Sequence, residues 1–382
     1  MIQRPVFILA GEPSGDQLAA HIMRAVDDKF GRQAWFGVGG QQMADVGLES
    51  LAEMDDLTVF GFGSALCAYP RLLKLADRLV EEVMRARPRL VMTVDVKGFS
   101  LRFAMRLRRR MTIEGWSAPI VHCVAPTVWA WGQWRAKKFA GVVDRLLCLF
   151  PYEPAYFTPY GIDAAFIGHP EAFNPLVKRD RTKISRALHK TVLLFPGSRR
   201  FEIDLILPPM LGAIARLRSA GSTVRAYILS VPRLSRRIES IVANQDAEII
   251  INDGDISGHM AKADAMIAAS GTVTLQAALQ ALPGVTCYRT GLFSALLGRC
   301  LVDLDKVILP NAILGRQVYP FMFQNAATEI KLAKSLQMIL DDRDAKNTAK
   351  AAAEELRQHL TGGKGTFSDL VTPALEAWFQ RS

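Results

Sequence analysis

The chain has 382 residues, 50% of them hydrophobic and 22% charged, and 47 Lys and Arg against 37 Asp and Glu give a net charge of +10. So ordinary an apolar share, with so little charge per residue, excludes disorder. Five scattered cysteines (Cys67, Cys123, Cys148, Cys287, Cys300), with no CxxC or His/Cys spacing, exclude a disulfide-stapled scaffold and a zinc site, and read as reduced thiols. At roughly 100–200 residues per domain, the length corresponds to two domains, each with its own core.

The first apolar run, 6–10, is too short for a signal peptide and has no small-residue cleavage site. No window holds about 18 uncharged apolar residues. The chain is therefore expected to be cytoplasmic and soluble, or at most peripheral to a membrane.

Run 6–10 reads as a strand that ends in Gly11-Glu12-Pro13-Ser14-Gly15-Asp16, and a helical pattern follows from 17 to about 30. Two glycines at a strand-to-helix turn allow close backbone approach to a ligand, and a helix N-terminus favours anions. The order of residues is neither a Walker A loop nor a nucleophile elbow. The plainer alternative is a helix capped by Ser14 or Asp16. Further strands are expected at 35–38, 90–94, 120–124 and 146–150, with helices between most of them, which points to a parallel sheet covered on both faces.

Residues 65–110 carry 12 Lys and Arg against four acids, with Leu66, Tyr69, Leu72, Leu73, Leu75, Leu79 and Val83 at mostly helical spacing. A basic, apolar-rich helix suits a membrane surface or an anionic ligand. It suits equally a core helix with solvated arginines. No nucleic-acid-binding signature accompanies the charge. After 120–124, Trp129, Trp131 and Trp134 crowd one segment with Arg135 behind them; aromatic faces of this kind pack against sugar rings in a cleft wall. His169, between Gly168 and Pro170, reads as a structural hinge residue.

A polar, basic stretch from about 171 to 190 makes a linker, and the strand–helix alternation then repeats. Strands are expected at 191–195, 224–229, 248–251, 265–268 and 284–288. Pro196-Gly197-Ser198-Arg199-Arg200 follows the first of these, and Ala269-Ser270-Gly271-Thr272 ends the fourth. A Gly-Ser turn with an arginine holds a diphosphate through backbone N–H groups, a hydroxyl and a guanidinium. A second anion-sized helix N-terminus at the same sheet edge strengthens the reading of a nucleotide-diphosphate binder. The Asp253-Gly254-Asp255 and Asp303-Leu304-Asp305 triplets lack a convincing context, so no metal is implied. Residues 331–381 look helical apart from a break at 362–365.

Together these loops resemble the lipid-A-disaccharide synthase family of GT-B glycosyltransferases. The resemblance rests on GEPSGD (11–16), GVGG (37–40), VAPTVWAW with Arg135 (124–135), FPYE (150–153), FIGHP (166–170), FPGSR (195–199), ASGT (269–272), LPN (309–311), GR (315–316) and Gln324, in family order. It implies an α/β GT-B fold of two Rossmann-like domains with an interdomain cleft. The first domain, 1–170, would face acceptor and membrane, the second, 171–345, would bind the UDP-sugar, and 346–382 would pack back on the fold or on a partner subunit.

The activity so implied is inverting transfer of 2,3-diacylglucosamine from UDP to 2,3-diacylglucosamine 1-phosphate, forming a β-1,6 link at the inner-membrane surface. It needs no cofactor, and the protein is often a homodimer. Asp95 is assigned as base and Glu12 as second carboxylate; Ser14, Gly15, Trp129 and Arg135 would bind substrate in the first domain. Ser198, Arg199, Ser270, Gly271 and Thr272 would hold the diphosphate, and Gln276, Asn311 and Gln324 would line the donor site. The chain departs from the family pattern where acids are expected, at Gly98, Gln276, Gln317 and Phe321, and it has Gly132 in place of a basic residue. These departures keep open a divergent specificity, or a non-catalytic paralogue that binds UDP-sugar or lipid as a scaffold. A UDP-sugar epimerase shares the two-domain layout and is disfavoured by the tryptophan motif and the basic segment.

Overall fold

The structure, a computed structural model, describes residues 4–57, 62–129, 132–174, 189–230, 232–243, 247–251, 255–291 and 304–380. The chain divides into two compact units, Met1–Pro170 with Leu360–Ser382, and Glu171–His359. Of the segment 346–382, the part up to His359 thus belongs to the second unit and the remainder to the first. Most of the expected linker, residues 175–188, lies outside the described residues, as do Trp131, Asp253, Gly254, Cys300 and Asp303.

The first unit is built on seven parallel strands, β1 (Val6–Ala10), β2 (Trp35–Gly39), β3 (Glu49–Glu53), β4 (Leu90–Val94), β5 (Ile120–Cys123), β6 (Arg145–Cys148) and β7 (Asp163–Phe166). Their order is β3-β2-β1-β4-β5-β6-β7. The connecting helices include α1 (Pro13–Phe30), α2 (Gln41–Ala44), α3 (Phe62–Ala86) and α4 (Lys97–Ile113). Every residue of β1 and β4 is buried, as a doubly covered parallel sheet requires. Phe7 anchors the core, stacked on Phe103 and edge-on to Phe36, each 5.3 Å away.

The basic segment 65–110 is not one helix: it runs through α3, β4 and α4. The apolar spacing that suggested a membrane face belongs largely to the core, since Leu75, Leu79 and Val83 are buried and Leu72 packs against them. Several of the cations are paired, Arg71 with Asp56, Arg85 with Glu82, Arg106 with Asp77 and Arg110 with Glu114. Tyr69 and Met105 remain exposed, and the Arg102 guanidinium lies 5.0 Å over the Tyr69 ring. Among the described residues no helix is long and apolar enough to cross a membrane.

The second unit begins within α5 (Pro170–Phe173) and carries six parallel strands, β8 (Lys190–Phe195), β9 (Val224–Ser230), β10 (Glu248–Ile251), β11 (Ala265–Ala269), β12 (Gly284–Tyr288) and β13 (Phe321–Phe323). Their order, β10-β9-β8-β11-β12-β13, is again the doubly wound pattern. Its helices are α6 (Arg200–Ser219), α7 (Ser235–Val242), α8 (Ile256–Lys262), α9 (Thr272–Leu279), α10 (Leu309–Leu314), α11 (Glu329–Asp341) and α12 (Ala345–Thr361). Ile203, Ile206, Leu207 and Met210 of α6 close the core over Val192, Leu194 and Ile267.

The last helix, α13 (Ser368–Phe379), belongs to the first unit and packs on α1. Phe30 stacks on Phe379 at 5.2 Å, and the Arg89 guanidinium donates to the carbonyls of Trp378 and Phe379 at 3.1 and 3.0 Å.

Candidate functional site

In each sheet the strand order reverses at one place, between β1 and β4 in the first and between β8 and β11 in the second. Doubly wound sheets bind ligands at the carboxyl ends of the strands flanking that reversal. The turns after β1, β4, β8 and β11, which carry Glu12, Asp95, Arg199 and Ser270, fall there, whereas the tryptophan segment follows β5.

In the first unit, Ala10 pairs with Val94, so Gly11 and Asp95 leave the sheet side by side. A side chain at Gly11 would collide with Val96 Cγ2 at 2.8 Å and Leu57 Cβ at 2.9 Å, and a β-carbon at Gly15 would lie 3.7 Å from that of Asp95. The GEPSGD loop and Asp95 thus form one constellation. Asp95 and Val96 both adopt left-handed backbone, at φ +54° and +44°. For a β-branched valine this is a true outlier, and such strain costs on the order of 1–3 kcal/mol per residue. It is held by the Asp95 N–H donating to the Cys123 carbonyl at 3.0 Å and the Ser100 hydroxyl donating to the Asp95 carbonyl at 2.8 Å.

Glu12 and Ser14 are exposed at the start of α1, and Glu12 is its N-cap residue, without a side-chain cap. Asp16 does not cap α1 either. Its buried carboxylate accepts from the N–H groups of Gly40, Gln42 and Met43 at 2.8, 3.0 and 3.1 Å, so it caps α2 and ties the 11–16 loop to β2. Gly98 stands in the first turn of α4 with nothing near its missing side chain, so the absent acid there has no steric cause.

Trp129 corrects the expectation of an aromatic sugar platform. It is 5% exposed, edge-on to Phe150 and Tyr152, and its indole N–H donates to Glu153 at 3.3 Å. A ring so enclosed offers no face to a sugar. Glu153 is itself buried and accepts from the N–H groups of Leu149 and Phe150, each at 3.1 Å. Arg135, half-buried in the 3₁₀ turn Gln133–Phe139, donates to the Thr127 carbonyl at 3.4 Å, and Trp134 of the same turn is exposed. His169 stacks on Phe150 at 6.1 Å, and burial pulls its pKa down to about 4.

In the second unit, Ser198, Arg199, Ser270, Gly271 and Thr272 come together around a cavity of about 310 Å³ that also touches Gly197, Glu202 and Val273. Sequence reading missed Glu202, which organises this turn. Its buried carboxylate accepts from the N–H groups of Ser198 and Arg199 at 2.9 and 3.1 Å, from the Arg199 guanidinium at 3.2 Å and from the Tyr288 hydroxyl at 3.1 Å. Burial and this carboxylate push the Tyr288 hydroxyl up to about 12.

The backbone N–H groups of 198 and 199, expected to hold a diphosphate, are thus already occupied by the protein's own carboxylate. Ser198, Arg199 and the first residues of α9 line the cavity. Gly197, at φ +110°, must be glycine, because a β-carbon there would sit 2.4 Å from Glu202 Oε2. The sequence signal was the glutamate three residues after the N-cap, which reaches back to accept from the N-cap N–H.

Gln276 lies one turn into α9, and the Glu171 pKa is raised by burial and eased down by Gln276. Asn311 and Gln324, the residues expected to line the donor site, each bond to loop backbone. Asn311 accepts from the N–H groups of Val318 and Tyr319, both at 2.9 Å, and donates to the Tyr319 carbonyl at 2.9 Å; Gln324 donates to the Thr290 carbonyl at 2.9 Å and accepts from its N–H at 3.3 Å. Both side-chain amides fold loops at the end of the sheet. Gln317 is exposed beside Arg316, which pairs with Glu355 at 2.6 Å, and Phe321 opens β13. Among the described residues no group of three or more His, Cys, Asp or Glu could hold a metal ion, and Asp255 caps α8 through the Gly258 N–H at 2.8 Å.

Comparison with known proteins agrees with this architecture. A family model described as lipid-A-disaccharide synthetase matches residues 6–368. The chain is 35% identical over 361 residues to the lipid-A-disaccharide synthase of Anaeromyxobacter dehalogenans strain 2CP-1, covering 93% of each chain. It is 35% identical over 366 residues to that of Rhodospirillum centenum, covering 94% of this chain and 90% of the relative. Among solved structures it resembles a putative UDP-N-acetylglucosamine 2-epimerase from Listeria monocytogenes, with a TM-score of 0.66 at 11% identity over 100% of this chain and 98% of that one. A glycosyltransferase from Rickettsia africae aligns over 100% of both chains with a TM-score of 0.57 at 11% identity. These structural likenesses establish the fold, of the GT-B kind shared by glycosyltransferases and epimerases. The chain belongs to the lipid-A-disaccharide synthase family.

Proposed function

We propose that this chain is an inverting hexosyltransferase that moves 2,3-diacylglucosamine from UDP to 2,3-diacylglucosamine 1-phosphate, forming a β-1,6-linked acylated disaccharide. Family membership across residues 6–368 carries the reaction class. The relatives are named as synthases, which weighs against the non-catalytic alternative. The observation that carries the donor assignment is the meeting of the 197–199 turn and the 270–273 turn around one cavity at the reversal of the second sheet.

The residues divide the chemistry. Asp95 takes the proton from the attacking acceptor hydroxyl as it adds to the donor's anomeric carbon, and Glu12, in the loop after β1, is the second carboxylate candidate. Its place beside Gly15, on strained backbone at the reversal of the first sheet, supports that role. As the bond to the diphosphate breaks, charge develops on the leaving UDP. The Arg199 guanidinium, the Ser198 and Ser270 hydroxyls and the N-terminus of α9 at Gly271 and Thr272 stabilise it. The donor is a substrate, and we assign no cofactor and no metal. We place the protein on the cytoplasmic face of the inner membrane, where the cations of α3 and α4 with Tyr69 and Met105 would meet anionic lipid; a homodimer is part of the same reading, and nucleic acid is not.

The test is turnover of UDP-2,3-diacylglucosamine and 2,3-diacylglucosamine 1-phosphate by purified protein in detergent, with mass detection. Disaccharide plus UDP supports the proposal. Absence of product while UDP still binds would redirect it to another acceptor or donor.

A further inference from the structure

The second unit has another cavity, of about 490 Å³, at the amino ends of β8, β9 and β10, with no part in the transfer reaction. It lies at the opposite end of the sheet from the 197–199 and 270–273 turns, and β8 alone puts six residues, about 20 Å, between the two ends. His189, Arg218, Ser222, Thr223, Arg225 and Glu248 supply its polar lining, and none of the described residues around it is a phenylalanine, tyrosine or tryptophan. Arg225 breaks the pattern of its strand. β9 lies between β8 and β10, where a covered parallel strand reads as a continuous apolar run, yet Arg225 stands exposed between buried Val224 and Ala226. Glu248 opens β10 and pairs in register with Tyr227, so it shares a sheet face with Arg225, at about 8 Å between Cα atoms. Among the described residues, His189, Arg225 and Glu248 have neither an ion pair nor a side-chain hydrogen bond. Arg218 comes from the last turn of α6, and its Nε donates to the Val224 carbonyl at 2.9 Å, which fixes that guanidinium at the cavity.

This lining narrows the ligand. Two guanidiniums against one carboxylate favour a molecule of net negative charge, and a guanidinium takes phosphate through paired N–H donors. An ionised carboxylate only accepts hydrogen bonds, so Glu248 calls for O–H or N–H donors on the same molecule. The volume is within the roughly 300–1,000 Å³ usual for small-molecule sites, but the apolar and aromatic walls that hold a nucleobase or an acyl chain are missing from this lining. A small phosphorylated sugar or polyol meets every condition. Its phosphate suits the arginines, its hydroxyls suit the carboxylate, and it has no flat apolar ring to cover.

We infer that the cavity at the amino ends of β8, β9 and β10 binds a phosphorylated sugar or polyol, with Arg218 and Arg225 on the phosphate and Glu248 on the hydroxyls. This site is separate from the donor cavity and independent of the donor assignment. Arg225 reads the charge of the ligand there, and Glu248 separates a sugar phosphate from bare phosphate.

Calorimetric titration of the full chain with glucose 6-phosphate, inorganic phosphate and glucose tests it, on the parent, Arg225→Gln, Glu248→Gln and, as a control for the donor cavity, Arg199→Ala. Thermal melting checks the fold of each variant. Glucose 6-phosphate should saturate the parent and bind it more tightly than phosphate or glucose does. Arg225→Gln should weaken glucose 6-phosphate about tenfold. Glu248→Gln should bring it down to the affinity of inorganic phosphate, and Arg199→Ala should leave it as in the parent. If Arg225→Gln loses its melting transition, Arg225→Lys, which keeps the charge and gives up the paired donors, reads the same loss at smaller size. Parental affinity in the Arg225 variants, or loss of binding in Arg199→Ala, would put the anion elsewhere and overturn the inference. So would a parent chain that does not bind glucose 6-phosphate, or binds it no better than inorganic phosphate. A preference for the sugar phosphate that survives Glu248→Gln would overturn the assignment of its hydroxyls to Glu248.

Discussion

The Glu202 carboxylate holds Arg199 from both ends, accepting from its backbone N–H at 3.1 Å and from its guanidinium at 3.2 Å. Arg199 is largely exposed and Glu202 is buried, so the flexible cation takes its position from the fixed anion. Glu202 is a positioning residue in this arrangement.

Glu202→Gln keeps the shape and removes the charge, so one of the donors around it loses its acceptor. The expected cost is about 1–3 kcal/mol, appearing as a rise in KM for the donor near tenfold with a smaller change in kcat. Steady-state kinetics with donor varied at saturating acceptor would show it. A fall in kcat alone would mean that Arg199 needs no anchor.

Asp95→Asn retains a residue that tolerates left-handed backbone and removes the proton acceptor. Turnover should fall by roughly 10²–10⁴-fold while donor binding stays within error. The measurement pairs product formation with donor titration. Undiminished turnover would exclude Asp95 as the base.

Asp16 is expected to matter for stability. Asp16→Ala leaves the N–H groups of Gly40, Gln42 and Met43 without their acceptor, at a cost of about 2–4 kcal/mol. Urea unfolding of parent and variant would read this as a lower midpoint. A midpoint unchanged within error would show that water satisfies the α2 N-terminus equally well.

His169 gives a pH dependence with a definite sign. Its pKa falls from 6.5 in the unfolded chain to about 4 in the fold, so the fold favours the neutral ring. Its contribution to stability is complete above pH 6.5 and is lost as pH falls towards 4, at about 1.4 kcal/mol per pH unit. His169→Phe keeps a ring against Phe150 and does not titrate. Between pH 6 and 4.5 the parent's stability should fall more steeply than the variant's, by roughly that slope. Parallel curves would show that the ring stays protonated in the fold.

Much of this was legible in the sequence because buried parallel strands are continuous apolar runs. The inner strands β1, β4, β8 and β11, with the glycine-rich turns after β1, β8 and β11, were readable within a residue or two. The strands that escaped, β3 (ESLAE), β7 (DAAF) and β13 (FMF), lie at sheet edges, carry charge or span few residues. An edge strand has one hydrogen-bonded neighbour and needs no continuous apolar run.

At the site, residue type and loop position identified Ser198, Arg199 and Asp95 as candidates. What the sequence did not reveal was partnership. Trp129 resembled a platform until its burial against Phe150 and Tyr152 was visible. Glu202 looked like any first-turn acid.

The return of α13 to the first unit sets an order of synthesis. Arg89 is made 290 residues before Phe379, whose carbonyl it will bond, so the ribosome completes the second unit while the first still lacks its last helix. Through that interval the face of α1 that will receive Phe379, Phe30 included, stays open to solvent or to a chaperone. The second unit is in effect an insertion within the first, and it can fold as a whole before its host is finished.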